Sequence, residues 1–336
     1  MMRILGVLGL LVMLYAGLIG TYVENAPAGE PSARTQARIQ DNLVDVANEQ
    51  GRYGVITLGA ALVIIAGGID LSIGAVVGCS AVLFGYLMEE GVHPFFAVPI
   101  VLLFGAAVGL GNGLLITRLK LQPFLVTLCG MFVYRGLARL IAGQVSRAKS
   151  LEVHPEFANA LQSLRYLLVG KNAQSELVFP AEFIVLIVLA IAVGFFLHRT
   201  AYGRYWYAVG HNEQAARYAG VNVNRHRVSV YVICSLFASL AGVLLFLDMP
   251  SIQSDSGGMY LELYAILGAV LGGCSLRGGE GTVPGMVLGA MVLPILQSLV
   301  SIRGLESNVI PAVIGLTLLV GTIVDEFIRR RSRLHK

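Results

Sequence analysis

The stretch VIIAGGIDLSIGAVVG places one carboxylate, Asp70, inside an otherwise apolar segment. An ionisable side chain in such a setting is costly to insert into a membrane and marks a functional position by default. Gly67, Gly68 and Gly74 allow the backbone to leave the helix, and Ser72 is placed to cap a helix that restarts after the break. We therefore predict a gate or translocation path here. The alternative is that Asp70 only caps or pairs at an inner helix end.

A second stretch, TAYGRYWYAVGHNEQAARYAGVNVNRHRV, has the residues of a short capped helix between two apolar segments. Asn212 can cap the amino end, and Glu213 suits the first turn because of the helix dipole. Gly220 is placed to end the helix as a C′ glycine. Ala215 and Ala216 are small enough to enter a groove of another protein. The alternative to this docking helix is a solvated connector.

Three more charges lie in or beside apolar stretches: Arg135, Arg139 and Glu262. Charges at such depth normally pair. Arg135 and Glu262 are the candidates for an ion pair that fixes helix packing at the outer mouth. A structural role for this pair is favoured over contact with a substrate.

Sequence motifs for catalysis are absent. There is no G-x-x-x-x-G-K-[ST], no H-E-x-x-H and no G-x-S-x-G. The four cysteines, Cys79, Cys129, Cys234 and Cys274, lack metal-ligand spacing, which favours small buried hydrophobic residues over a disulfide or metal site. We expect no catalytic residue, no metal and no cofactor bound by this chain, so a partner must supply energy for any uphill transport.

The amino-acid composition indicates whether these residues lie in a soluble protein or in a membrane protein. Of the 336 residues, 56% are hydrophobic and 13% are charged, against about 25% charged in soluble proteins. The mean hydropathy is +0.75. These values exclude a soluble globule, and the 40 glycines favour closely packed membrane helices. The sequence predicts a polytopic all-α membrane helix bundle in a single domain, 1–336.

Ten apolar stretches are long enough to be candidate membrane spans. They run from Ile4 to Gly20 and over 51–67, 72–88, 95–116, 123–142, 180–198, 228–247, 261–275, 284–302 and 307–327. A cleaved signal peptide competes with the first span, because Ala26-Pro27-Ala28 follows it. We favour a retained helix, because the run is as long as a short span and a polar, acidic segment follows.

The distribution of Lys and Arg orients the ten spans. An inner amino terminus puts fourteen Lys and Arg residues on the inner side and eight on the outer side, whereas the reversed topology violates the positive-inside rule. Both termini are therefore predicted to be cytoplasmic, with an outer loop at about 143–179 and an inner loop at about 199–227.

Two four-helix blocks, about 51–142 and 228–327, start on opposite sides of the membrane in this topology. Opposite orientation predicts an inverted repeat, the architecture of many transporters. Weak support comes from two similar Gly-rich interruptions, one in each block: GGIDLS at 67–72 and GGCSLRGG at 272–279. Paired breaks of this kind indicate a translocation site.

These stretches also carry a resemblance to a known family. GGIDLSIG, GRYWYAVGHNEQAARYAGVNV and LELYAILGAVLGGCSLRGGEGTVPGMVLGA together closely resemble the membrane permease subunits of ABC importers for monosaccharides, the ribose/xylose/arabinose/galactoside type. The resemblance covers about residues 50–327, in order and with similar spacing. It implies the fold of a type II ABC importer permease in the bacterial inner membrane. It also implies that Gly210, Asn212, Ala215, Ala216 and Gly220 belong to the coupling helix that docks on the ATPase.

The resemblance implies partners as well. These are two permease copies in a homo- or heterodimer, an ABC ATPase that binds ATP and Mg²⁺, and a periplasmic sugar-binding protein, with membrane lipid around the spans and no nucleic acid. Two other functions compete. A stand-alone secondary carrier would share the inverted repeat but needs no docking helix. An intramembrane enzyme would need a nucleophile, base or metal constellation that Asp70 alone does not supply.

Overall fold

The structure, a computed structural model, describes residues 2–25, 32–143, 148–150, 155–249, 251–254 and 256–304, and residues 311, 312, 315, 316 and 319. Apart from these last five positions, the tenth predicted span, 307–327, lies outside the described residues. The basic carboxyl-terminal end lies outside them as well.

Helices dominate the described residues. They are α1 (Met2–Glu24), α2 (Ser32–Ile65), α3 (Ile73–Glu89), α4 (Pro94–Arg118), α5 (Pro123–Ala142), α6 (Ala158–Leu168), α7 (Ala181–Arg199), α8 (Ala201–His211), α9 (Glu213–Tyr218), α10 (Val223–Asp248), α11 (Leu261–Leu271) and α12 (Val283–Ile302). The starts of α4, α5 and α12 each have a proline in the first turn, where its missing N–H costs nothing.

Within the described residues, nine of the ten predicted spans coincide with helices. Six helices, α1, α4, α5, α7, α10 and α12, are long and apolar enough to cross a membrane. The apolar helices α3 and α11 are shorter, at 17 and 11 residues. Helix α2 extends well beyond its predicted span, because the polar residues 32–50 continue the same helix. The all-α polytopic membrane bundle is thus confirmed.

A short strand and a short helix lie in the long loop between α5 and α7. Strand β1 (Ala148–Ser150) pairs antiparallel with β2 (Ser251–Gln253), which follows α10. Helix α6 presents Leu161 and Leu164 to the core. The loop at about 143–179 is therefore tied to the bundle by these two elements.

Helix α10 forms the centre of the bundle and packs against α2, α3 and α4. Its buried face includes Val230, Tyr231 and Ala238. Gly109 of α4 lies directly against the backbone of Tyr231, so that any side chain there would collide with α10. This close approach is the use of small residues expected between membrane helices, where van der Waals packing rather than the hydrophobic effect favours association.

Helices α2 and α10 run in opposite directions. Arg52 of α2 pairs with Asp248, the last residue of α10, while the chain just after α2 contacts Tyr231 in the third turn of α10. We call the end of the bundle that carries α8 and α9 the α9 end. The opposite end, where α6 lies, is the α6 end.

Candidate functional site

Helix α9 is a short helix that is capped at both ends. The Asn212 side chain accepts a hydrogen bond from the backbone N–H of Ala215 at 3.0 Å, as an N-cap does. At the other end, Gly220 has a φ of +82°, and the N–H of Val221 donates to the carbonyl of Ala216 at 3.0 Å. This pattern is a Schellman motif, in which the left-handed position favours glycine. The boundaries agree with the helix predicted from Asn212 to about Tyr218.

Glu213 fixes α9 to the start of α10. Its carboxylate lies 3.0 Å from Arg217, one turn further along α9, and 2.7 Å from Arg227 of α10. The second contact joins two helices. Helix α9 is therefore joined to α10 by its own acidic residue, while its two caps define its ends.

The two alanines of α9 have different environments. Ala215 is exposed, whereas Ala216 is only 5% exposed and packs against Val209 and Val223 of this chain. The prediction that Ala216 enters a groove of another protein is therefore wrong. Adjacent residues of a helix point about 100° apart, and in α9 it is Ala216 that faces the bundle. The residue that presents the largest side chain to the outside is Tyr218, which is 90% exposed.

Gly210, in the last turn of α8, lies where three segments meet. A Cβ at this position would collide with the carbonyl of Ile65, at the end of α2, and would stand 2.7 Å from the nitrogen of Gly279. Gly67 approaches from the other side, its Cβ position being 3.4 Å from the Gly210 Cα. Tyr207, one turn earlier in α8, donates its hydroxyl to the carbonyl of Gly281 at 2.8 Å. We call this contact between α8 and the two Gly-rich breaks the glycine junction.

The first break turns the chain back into the bundle. Helix α2 ends at Ile65, Gly67 has a φ of +79°, and α3 does not begin until Ile73. Between them the carbonyl of Ile69 accepts a hydrogen bond from the Tyr231 hydroxyl at 3.3 Å. Tyr231 lies eight residues into α10, about 12 Å from its start. The segment next to Asp70 therefore lies well inside the bundle.

The Asp70 carboxylate holds the start of α3 and is buried, with 2% exposure. Its Oδ1 accepts hydrogen bonds from the backbone N–H of Ser72 at 2.8 Å and from the Ser72 hydroxyl at 2.6 Å. The prediction that the Ser72 side chain caps α3 is wrong, because its oxygen accepts from the Asn112 amide and not from an N–H of the first turn of α3. The Ser72 hydroxyl also accepts from Asn112 of α4, which in turn accepts from Tyr134 of α5.

The other predicted charges meet near the start of α3. The Arg135 guanidinium lies 3.6 Å from the Glu262 carboxylate, and a Cβ at Gly74 would collide with that carboxylate. Arg135 lies seven residues before the end of α5, about 10 Å from that end. The pair therefore lies inside the bundle, and its place at the outer mouth stays a prediction. Arg139, one turn later, is exposed.

A second ionic network, not foreseen from the sequence, lies near the α6 end. Arg52 contacts Glu182 at 3.2 Å and Asp248 at 2.9 Å, and Lys171 contacts Asp248 at 2.7 Å. Glu182 is fully buried at the first turn of α7. Arg52, Glu182 and Asp248 each stand at the edge of an apolar stretch, which was a signal in the sequence. Sequence position gives no information on which of these edges meet.

Three of the cysteines, Cys79, Cys234 and Cys274, are buried and unbridged, as expected. Cys129 is exposed, so its predicted burial is wrong: it lies on a face of α5 that no other described helix covers. Within the described residues, no group of three or more His, Cys, Asp or Glu is placed to hold a metal ion.

Comparison with known proteins places this arrangement in a family. The model of the family described as "Branched-chain amino acid transport system / permease component" matches residues 42–322. The ribose import permease protein RbsC of Escherichia coli K12 is 31% identical over 85% of each chain. The fructose import permease protein FrcC of Rhizobium meliloti is 34% identical, over 82% of this chain and 75% of its own.

A third relative, the inner membrane ABC transporter permease protein YjfF of E. coli K12, is 31% identical over 79% of this chain and 77% of its own. No solved structure matches. The match covers both Gly-rich breaks, α8 and α9. The chain therefore belongs to the family of ABC importer permeases, the membrane-spanning components of these transport systems.

Proposed function

We propose that this permease carries a monosaccharide across the bacterial cytoplasmic membrane and is driven by a partner ATPase. The relatives named for ribose and fructose support a sugar, although the family description names branched-chain amino acids. The observation that carries the mechanism is the glycine junction, because it connects α8 and the adjoining α9 directly with both breaks. Displacement of α9 by a closing ATPase would reach the breaks through this contact.

The partners follow from the family. ABC importer permeases work with an ATPase and a solute-binding protein, and we propose that this chain also pairs with a second permease copy. We propose further that the chain is not an enzyme and holds no cofactor, while the ATPase binds ATP and Mg²⁺. In this assembly Asn212, Glu213 and Gly220 shape α9, Gly210 joins it to the breaks, and the exposed Ala215 and Tyr218 face the ATPase.

We propose that the α9 end faces the cytoplasm and that both termini lie on that side. Basic residues support this orientation, because positive side chains favour the inner side of the membrane. At the α9 end they are Arg118, Arg199, Arg204, Arg217, Arg225 and Arg227. The α6 end then faces the binding protein.

The two Gly-rich breaks, which were expected to be equivalent, do not support the proposed inverted halves, but another pair of segments does. Both Gly-rich breaks reach the α9 end, whereas an inversion would place equivalent breaks at opposite ends. The better equivalent of the break between α2 and α3 is the chain between α10 and α11, which enters from the α6 end. Gly258 in that chain has a φ of +75° and lies against Gly74 at the start of α3. The starts of α3 and α11 would thus be related by the inversion, as in transporters with discontinuous helices.

The test is reconstitution of the permease in vesicles with its ATPase and binding protein. Radiolabelled ribose, fructose and leucine are offered in parallel. ATP is supplied on the side of the vesicle membrane where the ATPase lies. We expect uptake of one monosaccharide, and only with ATP and both partners present. An ATPase variant that lacks its phosphate-loop lysine is the control. Uptake of leucine with no sugar transported would overturn the proposed substrate class.

A further inference from the structure

A groove lies between α4 and α10 at the α9 end of the bundle. It has a volume of about 590 Å³ and opens on the outer surface of the bundle. Its apolar walls come from the last turns of α4 and the first turns of α10. The residues used below are Leu114 and Arg118 of α4 and Asn224, Arg225, Val232 and Ile233 of α10. We call it the α4–α10 groove.

Two arginines stand at the mouth of the groove. Arg118 is the last residue of α4 and Arg225 lies in the first turn of α10, and both are exposed. Neither forms an ion pair with a carboxylate of the described residues. The guanidinium of Arg225 lies 5.6 Å from the centre of the Tyr202 ring, a contact that leaves its charge uncompensated. Among the described residues, no Asp or Glu lines the groove.

The apolar part of the groove continues into the surface that α4 presents to the hydrocarbon of a membrane. Leu103 is 69% exposed, Leu110 46% and Leu114 37%, and they lie at helical spacing along α4 towards the groove. Val232 and Ile233 are half-buried on the α10 side. A ligand in this groove would therefore contact hydrocarbon along its length and two positive charges at one end.

We infer that the α4–α10 groove binds an anionic phospholipid, with its phosphate between Arg118 and Arg225 and an acyl chain along Leu114, Val232 and Ile233. Basic pockets between membrane helices recognise anionic lipid headgroups in this way. The amide of Asn224 adds a hydrogen-bond donor at the same end. A zwitterionic lipid fits the walls equally well but gains less from the two charges, so the site selects for headgroup charge.

The lipid would act at the start of α10, next to the α9 element. Arg227, two residues after Arg225, holds Glu213 of α9. A headgroup bound at the mouth would neutralise the repulsion between neighbouring positive charges and fix the first turn of α10. The inference does not depend on which solute is transported.

The experiment measures lipid binding by the full-length permease, purified with its ATPase in detergent and analysed by native mass spectrometry. Phosphatidylglycerol and phosphatidylcholine with the same acyl chains are the probes, and glycerol phosphate is the soluble competitor. The variant is Arg118→Gln with Arg225→Gln. The matched control is Arg199→Gln, an exposed arginine at the same end that does not line the groove.

We expect the wild type to bind phosphatidylglycerol more tightly than phosphatidylcholine, and each arginine substitution to weaken phosphatidylglycerol binding by about fivefold. The control should bind like the wild type. Leu114→Trp, which fills the apolar wall, should weaken binding of both lipids. Since Leu114 is partly exposed, this variant also serves if the arginine variants fold poorly.

Four results would overturn the inference. Equal affinity for the two lipids, or equal losses in the variant and the control, would show that the arginines do not form a site. Displacement of the lipid by glycerol phosphate would indicate a site for small anions. Binding by the isolated permease that is lost on assembly would show that the ATPase occupies the groove.

Discussion

The backbone N–H of Gly279 donates a hydrogen bond to the carbonyl oxygen of Ile65 over 2.9 Å. This bond joins the chain that follows α11 to the end of α2, residues more than two hundred positions apart in the sequence. Gly210 of α8 lies against both of them. The two breaks and α8 are therefore in direct contact. A displacement of α9, which adjoins α8, could reach residues such as Asp70 inside the bundle through this contact.

Gly210→Ala should damage this unit. The added methyl would collide with the Ile65 carbonyl, and backbone atoms cannot move aside without displacing α2. We expect a lower midpoint of thermal unfolding in detergent and slower ATP-driven uptake. Gly111→Ala is the matched control, because nothing lies within 4 Å of its Cβ position and the change favours a helix by about 1 kcal/mol. Equal behaviour of the two variants would show that the junction tolerates a side chain.

Asp70→Asn should reduce uptake while the protein stays abundant in membranes. The substitution keeps an oxygen that can accept from Ser72 but removes the charge, so a purely capping role would leave transport near the wild-type rate. Ser80→Ala is the control, since it removes a buried hydroxyl of α3 that bonds to Ser239 away from the break. Wild-type uptake by Asp70→Asn would return this residue to the capping interpretation.

Removing either member of the Arg135–Glu262 pair should cost more stability than removing both. Each single alanine variant leaves one charge unpaired, the buried Glu262 or the half-buried Arg135, whereas the double variant leaves neither. In a double-mutant cycle on unfolding free energy we expect a coupling of about 0.5 to 3 kcal/mol. The same cycle with Arg139 in place of Arg135 should give no coupling, because Arg139 is exposed. Equal coupling energies in the two cycles would contradict the Arg135–Glu262 ion pair.

Arg52→Gln should be among the most destabilising single changes near the α6 end. Arg52 contacts two carboxylates, and its loss leaves the fully buried Glu182 without its cation, a change that costs about 3 to 5 kcal/mol. Lys171→Gln should cost less, because that side chain is partly exposed and Asp248 retains Arg52. Chemical unfolding measures both. If the double variant Arg52→Gln with Glu182→Gln is more stable than Arg52→Gln alone, the unpaired charge of Glu182 is the cause of the loss.

Much of this architecture could be predicted from the sequence. Apolar runs identified the spans because a membrane requires long apolar helices, and glycine, Asn212 and Gly220 marked breaks and caps because their backbone requirements are local. The Arg135–Glu262 contact is long-range, but few charges exist inside the bundle, so the choice of partners was small.

The sequence could not predict which faces meet. Ala215 and Ala216 are identical residues, and only the packing of α9 on Val209 and Val223 distinguishes them. Ser72 was expected to cap α3 because its type suits that position, yet its oxygen accepts from the amide of Asn112 on α4. The contact between the two Gly-rich breaks likewise depends on the fold of α8 between them.

The central claim, that α9 transmits the action of the ATPase, is tested most directly by ATP hydrolysis in the assembled transporter when loaded binding protein is added. Ala215→Glu changes an exposed residue of α9 and keeps its caps and its contact with α10, while Ala201→Glu makes the same change at an exposed position at the start of α8. The account predicts that Ala215→Glu inserts normally but loses co-purification with the ATPase or stimulated hydrolysis, and that Ala201→Glu retains both. Full assembly and full stimulation in Ala215→Glu would contradict it.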